Sequence, residues 1–437
     1  MILRNIYQEL VQWKQAKVRK PLILRGARQV GKTHLLKTFA AQEYAEHVYL
    51  NFETDPKLES LFADDLSPST IINNISLHLE RDFDLKDTLF IFDEIQEAPT
   101  ALNSLKYFAE QAPEVAVAAA GSLLGIKLRH SKGFPVGKVE FLDLYPLSFT
   151  EFLTAVGKTK LSSLLTELAD LNPLPEALHE ECLSWLKKYF FIGGMPEAVA
   201  TFVATENFSQ VRKVQQALLD AYLLDFAKHA PKEQVARISQ IWESIPLQLA
   251  KENKKFIFSA LSKSARGREY ETAIQWLSDA GLIYRSYAIN KPQLPLAAYC
   301  KQNIFKIFLI DVGLLASMSR LPTKALTIDG NIFAEFYGAF TKNFVAQQLV
   351  NQHYPLYYWA SEGAAELDFV LEEEGDIIPL EAKAGVSRQK KSLLLYKEKY
   401  APSCLLRSSL LNLKHDGAIT NLPLYLMDQA KRLLKRF

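Results

Sequence analysis

The sequence predicts an α/β protein of several domains, in which the first domain is a parallel β-sheet covered by helices. Short apolar segments alternate with helical patterns over roughly the first 155 residues, as expected for strand-helix-strand units. One of these segments runs directly into a turn bracketed by two glycines and then into a helix. Because the chain has 437 residues, more than one hydrophobic core usually supports, we expect roughly two to four domains.

Five short segments are predicted as the strands of this sheet. Each is wholly apolar or rich in β-branched and aromatic residues, as buried parallel strands are. They are residues 21–24, 47–52, 88–92, 115–120 and 139–144. Residues 35–42 and 70–79 have the apolar spacing of covering helices. This first domain is predicted to span residues 1–155.

The turn after the first strand has the spacing of a phosphate-binding loop. Gly26, four further residues, Gly31, Lys32 and Thr33 fit that pattern, with a strand before and a helix after. The glycines let backbone amides converge on a phosphate, Lys32 can reach the β and γ phosphates as a catalytic group, and Thr33 can bind Mg²⁺. The residues predicted to contact nucleotide are Gly26, Ala27, Arg28, Gln29, Val30, Gly31, Lys32, Thr33 and His34.

Acidic residues after the third predicted strand supply the other half of a nucleotide site. Asp93 follows the strand directly, so its carboxylate is expected at the carboxyl edge of the sheet, where it can hold Mg²⁺. Glu94 is predicted to polarise the attacking water as a general base. Ser122 follows the fourth strand and is a candidate sensor of the γ-phosphate, although a serine after a glycine is also a common turn residue. ATP and Mg²⁺ are the expected cofactors.

Residues 156–322 are predicted to form two further segments. Helical periodicity predicts a helical region at 156–250, with a helix boundary at the Gly-Gly-Met-Pro turn of 193–196. Residues 251–322 are predicted as helix, turn, helix and two strands, an order that resembles a winged helix. Basic residues cluster near the turn, namely Lys254, Lys255, Lys263, Arg266 and Arg268. A helix that contacts DNA and a winged helix that packs between domains both stay open.

Residues 323–437 are predicted as a separate α/β domain, with a helix followed by alternating strands. Glu381 and Lys383 are two residues apart in one predicted strand, so they project from the same face, and Asp368 lies in the strand before.

This arrangement resembles the restriction-endonuclease-like, or PD-(D/E)XK, nucleases. The resemblance implies that Asp368 and Glu381 bind Mg²⁺, that Lys383 activates water or stabilises phosphate charge, and that Glu335 completes the acidic set. A Glu-Lys pair on one strand is also often only a salt bridge, so an inactive domain stays open. The basic flank from Arg388 to Lys391 would suit a nucleic-acid backbone.

Several motifs resemble those of the AAA+-related ATPases of bacteria and archaea. They are "KPLILRGARQVGKT", "FIFDEIQEAP", "GSLLG" and "FPVGKVEFLDLYPLSFTEFL" in the first domain, with "GGMPEAV", "KIFLIDVGLL" and "ELDFVL…IPLEAKAG" further on. The resemblance implies ATP hydrolysis at Lys32, Thr33, Asp93 and Glu94, and it is compatible with a ring or dimer. Arg129 is a candidate arginine finger, whereas Lys138 stands where many relatives carry arginine, which leaves a finger role there in doubt.

Composition narrows the classes of function. The net charge of +2 gives no global attraction to nucleic acid or membrane. Residues 383–437 nevertheless carry twelve lysines or arginines against three acids. This basic excess indicates either a solvated face or a phosphate-binding surface. The three separated cysteines, the absence of an apolar run of ~20 residues and the character of the N-terminus predict a cytoplasmic protein without a membrane span.

Three hypotheses follow from these observations. The first is a Mg²⁺-ATPase coupled to a domain that binds or cuts DNA. The second is a nucleotide-dependent switch or scaffold with a catalytically inactive C-terminal interaction domain. The third is a nucleotide-binding protein that acts on protein partners.

Overall fold

The computed structural model describes residues 4–63, 65–128, 137–168, 171–251, 255–322, 334–361, 365–385 and 391–435, with the backbone alone at 334–336. The chain divides into two compact units. We call Leu3–Tyr145 with Asp279–Gly281 the N-terminal unit, and Pro146–Ser278 with Leu282–Phe437 the C-terminal unit. Among the helices in these ranges, none is both long and apolar enough to cross a membrane.

The N-terminal unit contains the predicted parallel sheet. Its strands are β1 (Leu22–Arg25), β2 (Glu46–Asn51), β3 (Thr88–Asp93), β4 (Ala116–Gly121) and β5 (Glu140–Asp143). They run in the order β2-β3-β4-β1-β5, and every neighbouring pair is parallel. The helices are α1 (Tyr7–Gln15), α2 (Lys32–Glu43), α3 (Pro68–Leu79), α4 (Pro99–Gln111) and α5 (Leu124–Leu128). The predicted α/β fold class of this segment is confirmed, and each predicted strand is found within two residues of its expected ends.

The core of this unit forms because β3 and β4 are buried along their whole length. Between the sheet and the helices, Phe52, Phe62, Phe92 and Phe108 make edge-to-face contacts with centroid separations of 5.4–6.3 Å. Aromatic pairs in this geometry stabilise a core beyond their buried area. The sheet is therefore a rigid base for the polar residues at the carboxyl ends of its strands.

The C-terminal unit begins with helices, as the periodicity predicts. They are α6 (Phe149–Ala155), α7 (Thr159–Glu167), α8 (Glu176–Ile192), α9 (Pro196–Thr205), α10 (Phe208–His229), α11 (Val235–Ala250) and α12 (Gly267–Asp279). The helix boundary predicted at the Gly-Gly-Met-Pro turn is found, since α8 ends and α9 begins on either side of it. The later helices are α13 (Val312–Met318), α14 (Ala334–Asn351), α15 (Lys391–Tyr400) and α16 (Ala430–Leu434).

A mixed sheet of eight strands forms the rest of this unit. The strands are β6 (Ile283–Ile289), β7 (Cys300–Leu309), β8 (Tyr357–Ala360), β9 (Glu366–Glu373), β10 (Asp376–Ala382), β11 (Leu405–Ser409), β12 (Lys414–Asp416) and β13 (Ile419–Pro423). Their order is β12-β13-β11-β10-β9-β8-β6-β7. The predicted antiparallel strands correspond to β8, β9 and β10, whereas β11 is parallel to β10 and was not predicted.

One pairing differs from the domain division expected at residue 322. The antiparallel pair β6–β7, assigned by sequence to a winged helix, continues the sheet of the C-terminal segment because β6 pairs in parallel with β8. Helix α14 contacts β6, β7 and β10 on this sheet. Residues on both sides of 322 therefore share one sheet.

The Gly-Gly-Met-Pro turn is held by a buried carboxylate. Asp311 accepts hydrogen bonds from the backbone amides of Gly194, at 2.6 Å, and Leu314, at 2.9 Å. A Cβ on Gly193 would lie 2.1 Å from Asp311 Oδ1, so the close approach requires glycine. Burial raises the pKa of Asp311 to about 6. These contacts give the motifs "GGMPEAV" and "LIDVGLL" a structural role.

Candidate functional site

The glycine-bracketed loop runs from the end of β1 to the start of α2, as predicted. Gly31 has a φ of 98° and Gln29 a φ of 65°, so the loop turns through the left-handed region twice. A Cβ on Gly26 would lie 2.2 Å from the carbonyl oxygen of Leu144, which excludes any side chain there. The loop is thus locally fixed in a curled conformation of the kind that presents backbone amides to an anion.

Lys32 lies inside this loop. Its side chain is only 5% exposed, and its ammonium group donates to the carbonyl oxygens of Gly26, at 3.0 Å, and Ala27, at 2.8 Å. Burial lowers the pKa of Lys32 from its usual 10.5 to about 8, against the opposing effect of Glu94 and Asp93. An anion bound beside a buried ammonium group would stabilise its charged form and raise its pKa again.

The Thr33 hydroxyl and the Asp93 carboxylate meet although they are sixty residues apart. Thr33 Oγ1 donates to Asp93 Oδ2 at 2.8 Å, and the Tyr49 hydroxyl donates to the same oxygen at 2.8 Å. Asp93 is 1% exposed. A hydroxyl and a carboxylate are the hard oxygen ligands that Mg²⁺ prefers. The chemistry of this pair fits a magnesium ion.

Glu94 lies beside this pair and is held by two polar side chains. It has a φ of 51°, and its Oε2 atom accepts from Gln96 Nε2 at 2.5 Å and from Ser122 Oγ at 3.2 Å. Ser122, predicted as a phosphate sensor, thus donates to the predicted general base. Gln96 has no recognisable motif and was missed, although its position two residues after Glu94 is a local signal.

The other predicted loop residues surround this centre. Val30 and Ala27 are buried, whereas His34 is exposed at the start of α2. Arg28 lies 3.7 Å from Glu53 as an ion pair. The candidate finger Arg129 lies outside the described residues.

Lys138 pairs with Glu110 at a nitrogen-oxygen distance of 3.0 Å. This pairing gives Lys138 a local partner that the sequence did not indicate. It does not test the doubtful finger role.

A second polar centre lies on the sheet of the C-terminal unit. The Asp368 carboxylate on β9 accepts from the backbone amide of Ala382 at 2.9 Å and pairs with Lys342 of α14 at 3.1 Å. On β10, Glu381 pairs with Lys383 at 2.9 Å. Because the Asp368 carboxylate accepts from the amide of Ala382, the residue after Glu381, the two predicted acids lie next to each other.

Glu381 is the more constrained of the two acids. It is 4% exposed, and its Oε2 atom has no hydrogen-bond partner within the described part of the chain. Burial raises the pKa of Glu381, opposed by the hydrogen bond and charge of Lys383 and reinforced by Asp368. A buried oxygen without a partner costs about 1–3 kcal/mol, so it needs an explanation.

The predicted third acid is not placed by its side chain. Glu335 belongs to α14, but its side chain lies outside the described residues. Within those residues, no three His, Cys, Asp or Glu side chains lie close enough together to hold a metal ion. Asp368 and Glu381 therefore form a pair of carboxylates with two lysines.

The basic residues singled out by sequence differ in their environment. Near the start of α12, Lys255, Lys263, Arg266 and Arg268 are exposed, and Lys254 lies outside the described residues. Lys391 is exposed at the start of α15, whereas Arg388 is outside the described ranges. Arg407, counted among the basic excess of the C-terminal segment, is 1% exposed on β11. That excess is therefore not simply a solvated face.

Comparison with known proteins identifies the N-terminal segment. Residues 18–153 match the family model described as an AAA domain. Two models described as domains of unknown function match residues 183–325 and 337–427. A search of curated proteins found no match. Residues 18–153 thus form an AAA domain, a nucleotide-binding fold, and the predicted relation to AAA+ ATPases is confirmed at that level.

Three solved structures illustrate how distant the similarities are. The Walker-type ATPase PABY2304 of Pyrococcus abyssi is 13% identical, with a TM-score of 0.45, over 73% of this chain and 96% of that one. The ORC1 protein of Aeropyrum pernix in complex with DNA is 12% identical, with a TM-score of 0.30, over 74% and 93%. AMPPCP-bound DnaA from Aquifex aeolicus is 13% identical, with a TM-score of 0.29, over 63% and 86%.

Proposed function

We propose that the AAA domain binds and hydrolyses ATP with Mg²⁺, and that the C-terminal unit carries a nuclease-like site that binds or cuts DNA. The first half depends on one observation above all. The Thr33 hydroxyl donates to the Asp93 carboxylate at 2.8 Å. Thr33 directly follows Lys32, whose ammonium group lies inside the loop. In P-loop ATPases the hydroxyl of the loop and an acid at the end of a nearby strand hold the magnesium ion, so this contact supports the same role here.

The roles of the residues in this half follow from their positions. Bound Mg²⁺ would neutralise phosphate charge, held by Thr33 and Asp93. Lys32 would transfer its two hydrogen bonds from loop carbonyls to phosphate oxygens. Glu94, fixed by Gln96 and Ser122, would accept the proton of the attacking water. The two hydrogen bonds to Oε2 leave Oε1 for that proton.

Site-directed variants test this half. We expect Lys32→Ala to lose nucleotide binding, and Glu94→Gln to retain nucleotide binding while ATP turnover falls at least about a hundredfold. Lys57→Ala is a matched control, since Lys57 is exposed. Turnover in Lys32→Ala equal to that of the wild type would refute the ATPase.

The second half concerns Asp368, Glu381 and Lys383. The buried, unpartnered Oε2 of Glu381 favours a site that accepts a cation. The salt bridges of both acids to lysines favour the alternative, an inactive interaction domain switched by nucleotide. The exposed basic residues near α12 would contact the DNA backbone in either case.

Incubation with DNA separates these two possibilities. The protein is mixed with Mg²⁺ or Mn²⁺ and several DNA forms, and wild type is compared with Asp368→Ala and Lys383→Ala. We expect cleavage by the wild type that both substitutions abolish. Cleavage that is absent from wild type, or that survives both substitutions, would leave the switch as the better function. Failure to bind DNA at low salt would favour a protein partner.

A further inference from the structure

A groove on the surface of the C-terminal unit has no part in the proposed function. Its volume is about 670 Å³, within the range of about 300–1,000 Å³ that is typical of ligand pockets. It is lined by one face of α8, by Phe208 and by residues 410–412, which follow β11. Leucine and phenylalanine side chains supply much of this lining. We call it the α8 groove, and its lining suits apolar side chains of a partner.

The face of α8 that lines the groove carries charges of opposite sign. Glu180, Leu183, Ser184 and Lys187 lie at positions i, i+3, i+4 and i+7 of this helix, so they share one face. Glu180 and Lys187 are both exposed. At a rise of about 1.5 Å per residue, they are about 10 Å apart along the helix axis. A partner that fits this face needs a cation and an anion with apolar groups between them.

Helix α15 carries the complementary pattern. Lys391, Leu394, Leu395 and Glu398 have the same spacing as the four residues of α8, with the order of the charges reversed. Leu394 and Leu395 are each 43% exposed, whereas the other face of α15 packs on β9 and β10 of its own chain. The two leucines therefore present apolar surface that a second molecule can cover.

A parallel arrangement of α15 from one copy and α8 from another satisfies both patterns. Lys391 would lie opposite Glu180, and Glu398 would lie opposite Lys187. The two leucines of α15 would then enter the groove beside Leu183. Burial of these leucines would supply most of the affinity, because exposed ion pairs contribute little. Like charges in the same places would be costly, so the charges would select the partner and its direction.

The other pair of adjacent exposed leucines in the described part of the chain fits the groove less well. Leu223 and Leu224 of α10 lie between Asp220 and Lys228. These two charges are eight residues apart rather than seven, and their acid-to-base order is the same as on α8. In a parallel arrangement, like charges would therefore meet. The order and spacing of the charges favour α15 as the occupant.

We propose that α15 of one copy of this chain occupies the α8 groove of a second copy, so that the chain self-associates through its C-terminal unit. The two surfaces differ, so the contact is heterologous and joins copies into a closed ring, a reciprocal pair or an open chain. Neither surface contains a residue of the nucleotide site or of the pair Asp368 and Glu381. The inference therefore goes beyond the proposed function and does not depend on it.

Sedimentation velocity of the full chain without nucleotide tests this proposal. We expect wild type to pass from monomers to assemblies between about 1 and about 100 µM, the range of micromolar affinity. Leu394→Asp with Leu395→Asp should weaken association at least about a hundredfold. The matched control, Leu223→Asp with Leu224→Asp, should associate as wild type does, and thermal melting checks that each variant is folded. A wild type that stays monomeric, or an equal loss in the control, would overturn the proposal.

Exchange of charges distinguishes the specific contact from non-specific association. Glu180→Lys with Lys187→Glu reverses the groove, and Lys391→Glu with Glu398→Lys reverses α15. Each double variant alone should associate at least about tenfold more weakly than wild type. An equimolar mixture of the two should regain wild-type association, because unchanged α15 then meets an unchanged groove and reversed α15 meets a reversed one. A mixture that stays monomeric would refute the pairing.

The nucleotide site gives a separate control. Lys32→Ala, which tests the proposed ATPase, should associate as wild type does. Association that needs nucleotide and disappears in Lys32→Ala would assign self-association to the AAA domain and refute the contact between α15 and α8. Loss of ATP turnover in Lys32→Ala with normal association would support both proposals independently.

Discussion

In the proposed role of Lys32, its lowered pKa should make nucleotide affinity depend on pH in a range where ATP itself does not titrate. Only the charged form would bind phosphate, and the pKa of about 8 means that about three quarters of the side chains are charged at pH 7.5 and about 3% at pH 9.5. Affinity should therefore fall about 25-fold between these values, which is about 2 kcal/mol of binding free energy. Phosphate groups are fully ionised throughout, because their second pKa is about 6.

The assay is a titration with a fluorescent, slowly hydrolysed ATP analogue at constant ionic strength and Mg²⁺. Tyr49, which contacts Asp93, does not interfere, because burial raises the pKa of its hydroxyl to about 12. Lys32→Arg keeps its charge over the whole range, so any binding that it retains should be independent of pH. Lys32→Met should bind weakly at every pH. A wild-type affinity that stays flat to pH 9.5 would refute the lowered pKa of Lys32, and the same slope in Lys32→Met would refute the assignment of Lys32 to phosphate.

Three further variants test other parts of the molecule. Gly26→Ala places a Cβ 2.2 Å from a backbone oxygen, so we expect nucleotide affinity to fall about tenfold or more in the same titration. Ionisation of buried Asp311 disfavours folding as the pH rises through its pKa of about 6. Between pH 4 and pH 7.5, the free energy of unfolding of wild type should therefore fall by about 2 kcal/mol relative to that of Asp311→Asn, as measured by urea denaturation. At pH 4 the variant should be less stable than wild type, because it lacks a hydrogen-bond acceptor. Replacing Arg266 and Arg268 by Gln should weaken DNA binding and reduce the slope of log affinity against log salt by about 0.9 for each phosphate that these arginines neutralise in the wild type.

Each variant has a control and an outcome that contradicts it. Gly385→Ala has nothing within 4 Å of its new Cβ, so nucleotide affinity should not change, and a similar loss in both glycine variants would contradict the steric explanation. A stability difference for Asp311→Asn that does not vary with pH would show that Asp311 titrates normally. Lys57→Gln and Lys86→Gln remove exposed charges from the N-terminal unit. A salt slope that changes equally for these two substitutions would show a non-specific charge effect.

The nucleotide half of the molecule was predictable because its signals are local. The loop pattern fixes Lys32 and Thr33 within eight residues, and a wholly apolar strand that ends in Asp93 gives that residue its place at the sheet edge. Because β4 pairs in parallel with both β1 and β3, the loop and Asp93 lie at the same edge of the sheet, where Thr33 donates to Asp93. What could not be predicted was the use of Ser122 to hold Glu94, since the partner of a hydroxyl depends on distances of a few tenths of an ångström.

The C-terminal site was only partly predictable because it depends on register between strands. Asp368, Glu381 and Lys383 carry a recognisable spacing, whereas Arg407 and Lys342 do not. Arg407 is brought to Glu381 by the parallel pairing of β10 with β11, and β11 itself was missed. A one-residue shift of that strand would place Arg407 on the other face. That register depends on the packing of strands that are distant in the sequence, so no short motif indicates it.

The continuity of the eight-stranded sheet has a practical consequence for dissecting this chain. A fragment that starts at residue 323 would lack β6 and β7, and the side of β8 that pairs with β6 would become a bare edge. Uncovered edges recruit other strands, so such a fragment would be expected to self-associate. Expression of the C-terminal segment in isolation should therefore start upstream of Ile283, so that the natural partner strands protect β8.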